Sequence, residues 1–389
     1  MKRSGFDPSS GQYVEVTYGT VIDGVDTPID PPLNPLYLAP GWIDLQVNGY
    51  AGVDYNSPVT PHEEIERSVR VLQSTGTTRF YPTVITGSAE NMLGSLRNLA
   101  RARSTIPSIE GFHVEGPHIC PDEGPRGAHP QLCVRAPDLD EYLRWQDATD
   151  GHVRLITLSP EYPNAPRYIE GIVRDGVVAS IGHTKATAEQ IEDAVSAGAT
   201  MSTHIGNGAH GEMRRHPNYI WEQLAEDRLA AGFIVDGIHI GQAFLKVALR
   251  AKGVFRSILV TDASMPALAI PGPYMLGEVE VELTEDGRRV VLRGGDRLAG
   301  SALRMDDAIG NVMRMAGIGL TEALSMATRN PARVGRIGGR QRGISPGDRA
   351  DLVLFRWNEG SKQIEVVETI VAGETVFTIA RNGNPRREP

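Results

Sequence analysis

The feature that most constrains the fold is a regular alternation of strand and helix patterns across residues 41–340. Short apolar, β-branched runs are typical of buried strands, and amphipathic segments between them are typical of helices. Eight strand patterns occur, at 41–48, 79–85, 111–116, 153–159, 177–184, 200–205, 231–238 and 257–262. Eight strand–helix units over about 300 residues predict an α/β fold with a (β/α)8 TIM-type barrel. A doubly wound open sheet is the alternative, but no phosphate-binding glycine motif follows the first strand.

The alternation is interrupted after the eighth strand by a hairpin pattern. Alternating runs at 278–283 and 289–293 flank a Glu-Asp-Gly turn. The interruption ends at 298–301, directly before a long helical pattern at 302–315. An insertion at this point would lie at the C-terminal face of the barrel, where ligands bind.

Both ends of the chain carry short period-two patterns separated by turn residues, which are typical of small antiparallel strands. We therefore predict a small β-sandwich domain built from residues 1–40 and 341–389, and a catalytic barrel from 41–340. The last residues, 381–389, are polar and are expected to fray.

The composition of the 389 residues favours a cytoplasmic protein, and its acidic balance does not argue against an anionic small substrate. Hydrophobic residues make up 40% and charged residues 22%, which is typical of globular proteins. A net charge of −9 disfavours nucleic acid as a partner. Neither a signal-peptide pattern nor an apolar run long enough for a membrane span is present. The two cysteines, Cys120 and Cys133, are expected to be free thiols in a reducing compartment.

Polar side chains recur where six of the predicted strands end. A single histidine at such a position is most often structural, but buried polar groups at one height on many strands are costly unless they bind something. These residues are Gln46, Asn48, His113, Glu115, His183, His204, Asp236, His239 and Asp262.

Three of these residues, Glu115, His183 and His204, form a two-histidine, one-carboxylate set. Such a set leaves one coordination position for water, which is the arrangement of a catalytic metal site. Zn²⁺ is the default ion, and Fe²⁺ or Co²⁺ would accept the same ligands. Because a bound metal lowers the pKa of its water toward about 7, Asp262 could act as general base and then general acid. The alternative role for Asp262 is a helix N-cap or a salt-bridge partner. His113 is either a metal ligand itself or a residue that contacts the ligands.

Seven motifs stand in order along the chain, and together they resemble the N-acetylglucosamine-6-phosphate deacetylases of the amidohydrolase superfamily. The segments 330–332 and 343–353 resemble the superfamily in general. The resemblance covers nearly the whole chain. The motifs occupy 40–49, 113–117, 182–184, 203–204, 236–239, 260–263 and 298–301.

This resemblance implies a metal-dependent hydrolase of amino-sugar metabolism that deacetylates N-acetyl-D-glucosamine 6-phosphate to D-glucosamine 6-phosphate and acetate. It implies Glu115, His183 and His204 as the metal ligands. Most superfamily members have His-x-His on the first strand, which binds a second metal. Gln46 and Asn48 stand there in this chain, so one divalent metal per subunit is expected.

The resemblance also implies the remaining site residues. Asp262 matches the acid/base residue, and His129 matches the residue that polarises the acetamide carbonyl. Without the resemblance, His129 would be interpreted as a loop histidine with no role. The positions that match sugar contacts are Ala128, Asn207, Gly208, His239, Leu298, Ala299 and Gly300.

The chain departs from the family where an Arg-x-Pro-Gly element binds the sugar phosphate. Arg215, His216 and Pro217 keep the first three positions, but Asn218 replaces the glycine. Arg215 is the expected phosphate ligand, because a guanidinium binds phosphate in a bidentate manner. Arg214 or His216 could take this role instead, or the arginine could be a solvated surface residue. In the family this arginine comes from the partner subunit, so a homodimer is expected.

The departure leaves other functions open. One alternative is a deacetylase of a different N-acetyl amino sugar, or another amide hydrolase of the amidohydrolase type. The alternative from a different class is a catalytically inactive sugar-phosphate-binding protein. The complete set of chemical groups, with Glu115, His183, His204 and Asp262 all present, argues against the inactive protein.

Overall fold

The structure of the protein is a computed structural model that describes residues 1–28, 30–340 and 342–379. Within these residues no helix is long and apolar enough to cross a membrane. The strands are β1 Lys2–Asp7, β2 Gln12–Tyr18, β3 Ile22–Asp26, β4 Tyr37–Pro40, β5 Trp42–Val47, β6 Gly49–Tyr50, β7 Val53–Asp54, β8 Thr77–Ile85, β9 Phe112–Glu115, β10 Val153–Leu158, β11 Val178–Ile181, β12 Met201–Ser202, β13 Ala230–Phe233, β14 Ser257–Leu259, β15 Gly272–Leu276, β16 Val279–Leu283, β17 Arg289–Leu292, β18 Leu298–Ser301, β19 Leu352–Asn358, β20 Gln363–Val371 and β21 Glu374–Thr378. The helices are α1 His62–Gln73, α2 Ala89–Arg103, α3 Leu139–Ala148, α4 Ala165–Arg174, α5 Ala188–Ser196, α6 Tyr219–Ala225, α7 Gln242–Lys252, α8 Met305–Ala316, α9 Leu320–Ala327 and α10 Arg329–Val334.

Eight parallel strands form the barrel, in the order β5, β8, β9, β10, β11, β12, β13 and β14. The first and last strands meet where the Asp262 amide donates to the Gln46 carbonyl at 3.0 Å and the Asn48 amide donates to the Ala263 carbonyl at 2.7 Å. All eight predicted strands are present, and the predicted fold class is confirmed.

The helices follow their local signals. At the start of α5, the Thr187 hydroxyl accepts from the Gln190 amide at 3.2 Å and the Gln190 side chain accepts from the Thr187 amide at 2.9 Å. This capping box satisfies backbone donors that the first helical turn leaves unpaired. The helix ends before Gly198, whose φ of 113° suits glycine. Its apolar face, with Ile191 and Val195, is buried in the main core.

A seven-stranded sheet draws its strands from both chain ends, in the order β21, β20, β19, β4, β1, β2, β3. The two ends join where β4 pairs antiparallel with β19, and Leu38 lies opposite Leu354. Both leucines belong to a separate apolar cluster that also buries Val16 and Tyr18. The division into a terminal domain and a barrel domain stays a prediction, and residues 381–389 lie outside the described residues.

The insertion after β14 is a four-stranded antiparallel sheet of β15 to β18. Strands β16 and β17 form the predicted hairpin. At the end of β18, the Ser301 amide donates to the Asp262 carbonyl at 2.8 Å. The insertion is therefore attached to the barrel beside the last strand, and the predicted helix at 302–315 follows it as α8.

A buried ion network ties the terminal sheet to the barrel. The Asp351 carboxylate contacts Arg79 at 2.6 Å, Arg340 at 3.0 Å and Arg349 at 2.9 Å, and its side chain is fully buried. Although burial opposes it, the charges of these arginines lower the pKa of Asp351. Arg79 lies on β8, and Asp351 directly precedes β19.

We expect an Asp351→Asn variant to unfold with a free energy about 3–5 kcal/mol lower than wild type, because it leaves buried guanidinium groups without a counter-charge. Urea denaturation measures the change. Arg356→Gln is the control, because Arg356 forms an exposed pair with Glu365 at 2.9 Å and its loss costs about 1 kcal/mol or less. Equal stability of Asp351→Asn and wild type would contradict a structural role for the network.

Candidate active site

Glu115, His183 and His204 converge at the C-terminal end of the barrel. Glu115 Oε1 lies 3.0 Å from His183 Nε2 and 2.8 Å from His204 Nε2, and the two ring nitrogens are 3.2 Å apart. All three residues are buried, and their ligand atoms lie within 4.8 Å of one another. A carboxylate oxygen and two imidazole nitrogens at these separations fit a single divalent metal ion.

The residues around this cluster set the tautomer and the charge of its ligand atoms. His183 Nδ1 donates to the Pro125 carbonyl at 2.8 Å, which leaves the lone pair of Nε2 directed at the cluster. Although burial opposes it, the close contacts with the two histidines lower the pKa of Glu115 well below its usual value. The group is therefore a carboxylate, as a metal ligand must be.

Gly208 leaves room for the imidazole ring of His183. Its φ is 56°, and a Cβ atom there would lie 2.6 Å from His183 Nδ1. Any other residue would displace the imidazole of His183, so the close approach requires glycine.

Three site residues have left-handed backbone conformations that non-glycine residues rarely adopt. His183 has a φ of 51°, His204 of 24° and Asp262 of 51°. Each conformation costs about 1–3 kcal/mol, a kind of strain that clusters at functional sites. It turns the side chain inward at the strand end, and it explains why β12 stops at Ser202 rather than at 205 as predicted.

Asp262 lies at the seam of the barrel, where the first and last strands meet. Two side-chain amides at the end of the first strand hold its carboxylate. Its Oδ1 accepts from Gln46 Nε2 at 3.1 Å and from Asn48 Nδ2 at 2.6 Å. Burial and the negative charge of Glu115 raise the pKa of Asp262 from 3.8 to about 6. A carboxyl group with this pKa can exchange a proton near neutral pH. The N-cap alternative does not apply, because no helix begins at Asp262.

His113 lies beneath the metal-ligand cluster in a hydrogen-bonded network and is not one of its three members. Its ring nitrogens contact Thr83 Oγ1 at 3.3 Å and Thr157 Oγ1 at 2.7 Å. Thr157 in turn contacts Thr203 at 2.7 Å. Burial lowers the pKa of His113 to about 4, so a neutral imidazole links strands across the barrel interior.

His129 packs against the cluster from the loop that follows β9. Its ring lies 4.4 Å from the His183 ring, centre to centre, and its Nδ1 is buried with no hydrogen-bond partner in the described structure. Burial and the neighbouring His183 lower the pKa of His129 to about 3. A neutral, buried imidazole beside the cluster is suited to donate one hydrogen bond to a bound ligand.

A cavity of about 300 Å³ opens over these groups, which is a size suited to a small molecule. It contains Glu115, His129, His183, His204 and Asp262. The predicted sugar-contacting residues also line it: Ala128, Asn207, Gly208, His239, Leu298, Ala299 and Gly300.

His239 reaches the cavity with a fixed orientation. Its Nδ1 lies 2.6 Å from Asp236 Oδ2, and the other carboxylate oxygen of Asp236 accepts the backbone amides of Ile238 and His239. Although burial opposes it, the hydrogen bond from His239 lowers the pKa of Asp236. The carboxylate therefore leaves Nε2 of His239 for a ligand.

Arg215 is not among the residues that line this cavity. It is exposed, and it borders a separate hollow of about 570 Å³ together with Arg214, His216 and Trp221. Within one subunit the structure does not bring the expected phosphate ligand to the metal-ligand cluster.

Two polar residues near the site were not predicted. Arg297 lines the cavity, and its only signal was its place directly before the motif at 298–301. Asp44 accepts from the Thr261 hydroxyl at 2.5 Å, and burial raises the pKa of Asp44 to about 7. Asp44 lies in the motif at 40–49, but it points into the barrel below the cavity and bridges the first and last strands.

A closed parallel barrel with ligand-type side chains at its C-terminal end defines the class of metal-dependent barrel hydrolases. Comparison with known proteins agrees. The sequence pattern of the amidohydrolase family matches residues 37–376, and the chain belongs to this family.

Similar proteins within the family include sugar-phosphate deacetylases. The N-acetylglucosamine-6-phosphate deacetylase of Bos taurus is 34% identical over 363 residues, which cover 88% of this chain and 84% of the relative. The N-acetylgalactosamine-6-phosphate deacetylase of Shewanella sp. is 34% identical over 348 residues, covering 87% and 83%. The Mycobacterium smegmatis N-acetyl-D-glucosamine-6-phosphate deacetylase, solved as a mutant with its substrate, superposes with a TM-score of 0.85 at 29% identity, covering 94% and 95%.

Proposed function

We propose that this protein hydrolyses the acetamide of N-acetyl-D-glucosamine 6-phosphate, releasing acetate and D-glucosamine 6-phosphate. The observation that carries the proposal is the convergence of Glu115, His183 and His204 beside Asp262 in one cavity. The family match and the named relatives support the same linear amide bond as the target.

Glu115, His183 and His204 would hold one divalent ion, and we propose Zn²⁺, with Fe²⁺ or Co²⁺ accepted by the same ligands. When bound, the ion supplies a Lewis acid and lowers the pKa of water. Gln46 and Asn48 use their amide nitrogens to hold Asp262, which supports one ion per subunit.

Different residues then transfer the proton and stabilise the negative charge that develops on the substrate. Asp262 takes a proton from the attacking water and returns it to the nitrogen of the breaking C–N bond. His129 donates a hydrogen bond to the oxyanion that develops from the acetamide carbonyl. His239 and the backbone at 298–300 hold the sugar, and Ala128, Asn207 and Gly208 complete its surroundings.

We infer that Arg215 reaches the substrate phosphate of a neighbouring subunit in a homodimer. Its exposure and its absence from the lining of the cavity of its own subunit support this assignment. Arg214 and His216 border the same hollow and are the alternatives. The cytoplasmic location stays a prediction from the sequence.

N-acetyl-D-galactosamine 6-phosphate is the second candidate substrate. The Shewanella enzyme named for that sugar is as similar in identity to this chain as the Bos taurus enzyme is. The two sugars differ only in the configuration of one hydroxyl group, so the same metal-ligand cluster would serve both.

Steady-state acetate release from both phosphorylated sugars and from free N-acetylglucosamine tests the proposal. We expect the highest kcat/KM with N-acetyl-D-glucosamine 6-phosphate and loss of activity after chelation, restored by Zn²⁺. A preference for the galacto sugar would support the second candidate. Absence of acetate release in the metal-loaded protein, with sugar phosphate still bound, would instead identify an inactive binding protein.

A further inference from the structure

The cavity has an uneven charge distribution. Its inner end carries the carboxylates of Glu115 and Asp262, and its rim includes Arg297. Among the described residues that line the cavity, Arg297 is the only lysine or arginine. A divalent ion at the cluster would offset these two carboxylates, so the charge of Arg297 favours an anionic group at the rim of the cavity.

The backbone of Arg297 is held firmly relative to the reacting groups. Its carbonyl accepts from the Leu292 amide at 2.8 Å, and it directly precedes β18, which ends at Ser301 beside Asp262. Four residues of strand span at most roughly 13 Å. The backbone of Arg297 is therefore tied through β18 to the strand end that carries Asp262, and its side chain is 36% exposed.

The guanidinium contacts the loop that carries His129. Its Nη1 donates to the Gly127 carbonyl at 3.3 Å, two residues before His129, and its Nη2 donates to Glu123. The Glu123 side chain is 79% exposed and that of Arg297 36%. An ion pair this exposed contributes little, so a dianionic phosphate can displace the glutamate, which is free to move into solvent.

We propose that Arg297 binds the 6-phosphate of the substrate within its own subunit and thereby directs the acetamide to the metal-ligand cluster. This inference rests on the proposed function, and it adds a phosphate ligand to the one expected from the partner subunit. A guanidinium forms paired hydrogen bonds with phosphate oxygens. Glu123 holds the side chain at the rim until the substrate replaces it.

Kinetics of an Arg297→Gln variant test the role in turnover. We expect KM for N-acetyl-D-glucosamine 6-phosphate to rise roughly 10- to 100-fold, with little change in kcat. The kcat/KM for free N-acetylglucosamine should not change. Arg297→Lys should recover part of the loss, since an ammonium keeps the charge but not the paired geometry. Arg293→Gln is the matched control, because Arg293 lies on the same insertion, is exposed and pairs with Glu280.

Calorimetric titration of the metal-loaded protein with D-glucosamine 6-phosphate gives an answer independent of turnover. We expect Arg297→Gln to bind it roughly 10- to 100-fold more weakly than wild type. Equal binding by the two proteins would overturn the proposal. An equal loss of kcat/KM for the phosphorylated and free sugars would also overturn it, because it would show that Arg297 only supports the loop before His129. Wild-type protein that releases no acetate would refute the proposed function, while the titration would still decide the role of Arg297.

Discussion

We expect an Asp262→Asn variant to lose roughly 10²- to 10⁴-fold in kcat while its metal content stays at the wild-type level. The amide oxygen can still accept from Gln46 and Asn48, so the geometry at the seam is kept. It cannot take a proton from water, so the acid/base step fails. Acetate-release kinetics and elemental analysis of the same preparation measure the two quantities.

The matched control for this variant is Asp54→Asn. Asp54 is also buried, its pKa is also raised to about 6 by burial, and it accepts from the backbone amides of Gly277 and Asn56. It does not line the cavity. Full activity of Asp262→Asn, or an equal loss in Asp54→Asn, would contradict the acid/base role.

The pH dependence of kcat/KM should report the ionisation of Asp262. The pKa of Asp262 is raised, so the carboxylate is the base above that value, and activity falls as pH falls through it. Burial and Glu115 set the pKa at about 6, and a bound cation would offset the Glu115 charge and lower it. The acidic limb should therefore lie between 3.8 and about 6. Activity that increases as pH falls through this range would contradict the assignment.

We expect a Glu115→Gln variant to lose its metal and, with it, its activity. The substitution keeps the volume of the side chain but removes the negative charge that lies 3.0 and 2.8 Å from the two histidine nitrogens. Loss of an outer partner costs about 10- to 100-fold in metal affinity, so loss of a direct charged ligand should cost at least about 100-fold. Elemental analysis after dialysis against buffered Zn²⁺ measures the metal content.

A Glu141→Gln variant is the control that distinguishes loss of the metal from a general loss of stability. Glu141 is a buried glutamate whose partner, Arg135, lies at 2.5 Å, so its substitution destabilises the fold without touching the cluster. We expect this control to retain its metal. If Glu115→Gln kept a full equivalent of Zn²⁺, the assignment of Glu115 as a ligand would be wrong.

The barrel could be predicted because each strand and helix carries its own local pattern. The capping box at Thr187 and the eight apolar runs are signals within a few residues of one another. The strand ends were less accurate, since His183, His204 and Asp262 leave the extended conformation where a sequence pattern shows only polar residues. Left-handed histidine and aspartate have no sequence signal comparable to glycine.

The site was predictable in kind but not in full. Parallel strands place their C-terminal ends at one edge, so a common location for Glu115, His183 and His204 follows from topology. The contact of Arg297 with Gly127 joins residues that are far apart in sequence and that belong to an insertion and a loop. The alternating pattern of the insertion predicts its hairpin, but it does not predict how close the hairpin lies to that loop.

The contact between the first and last strands of the barrel also has a consequence for how the active site assembles. Asp262 and its partner Gln46 are 216 residues apart, and they meet only when the last strand joins the first. Glu115, His183 and His204 stand at or just after the ends of β9, β11 and β12, away from the contact between the first and last strands. Long-range closure of this kind is slow compared with local folding. Metal content therefore reports how many molecules have captured an ion, whereas the number of competent molecules depends on barrel closure.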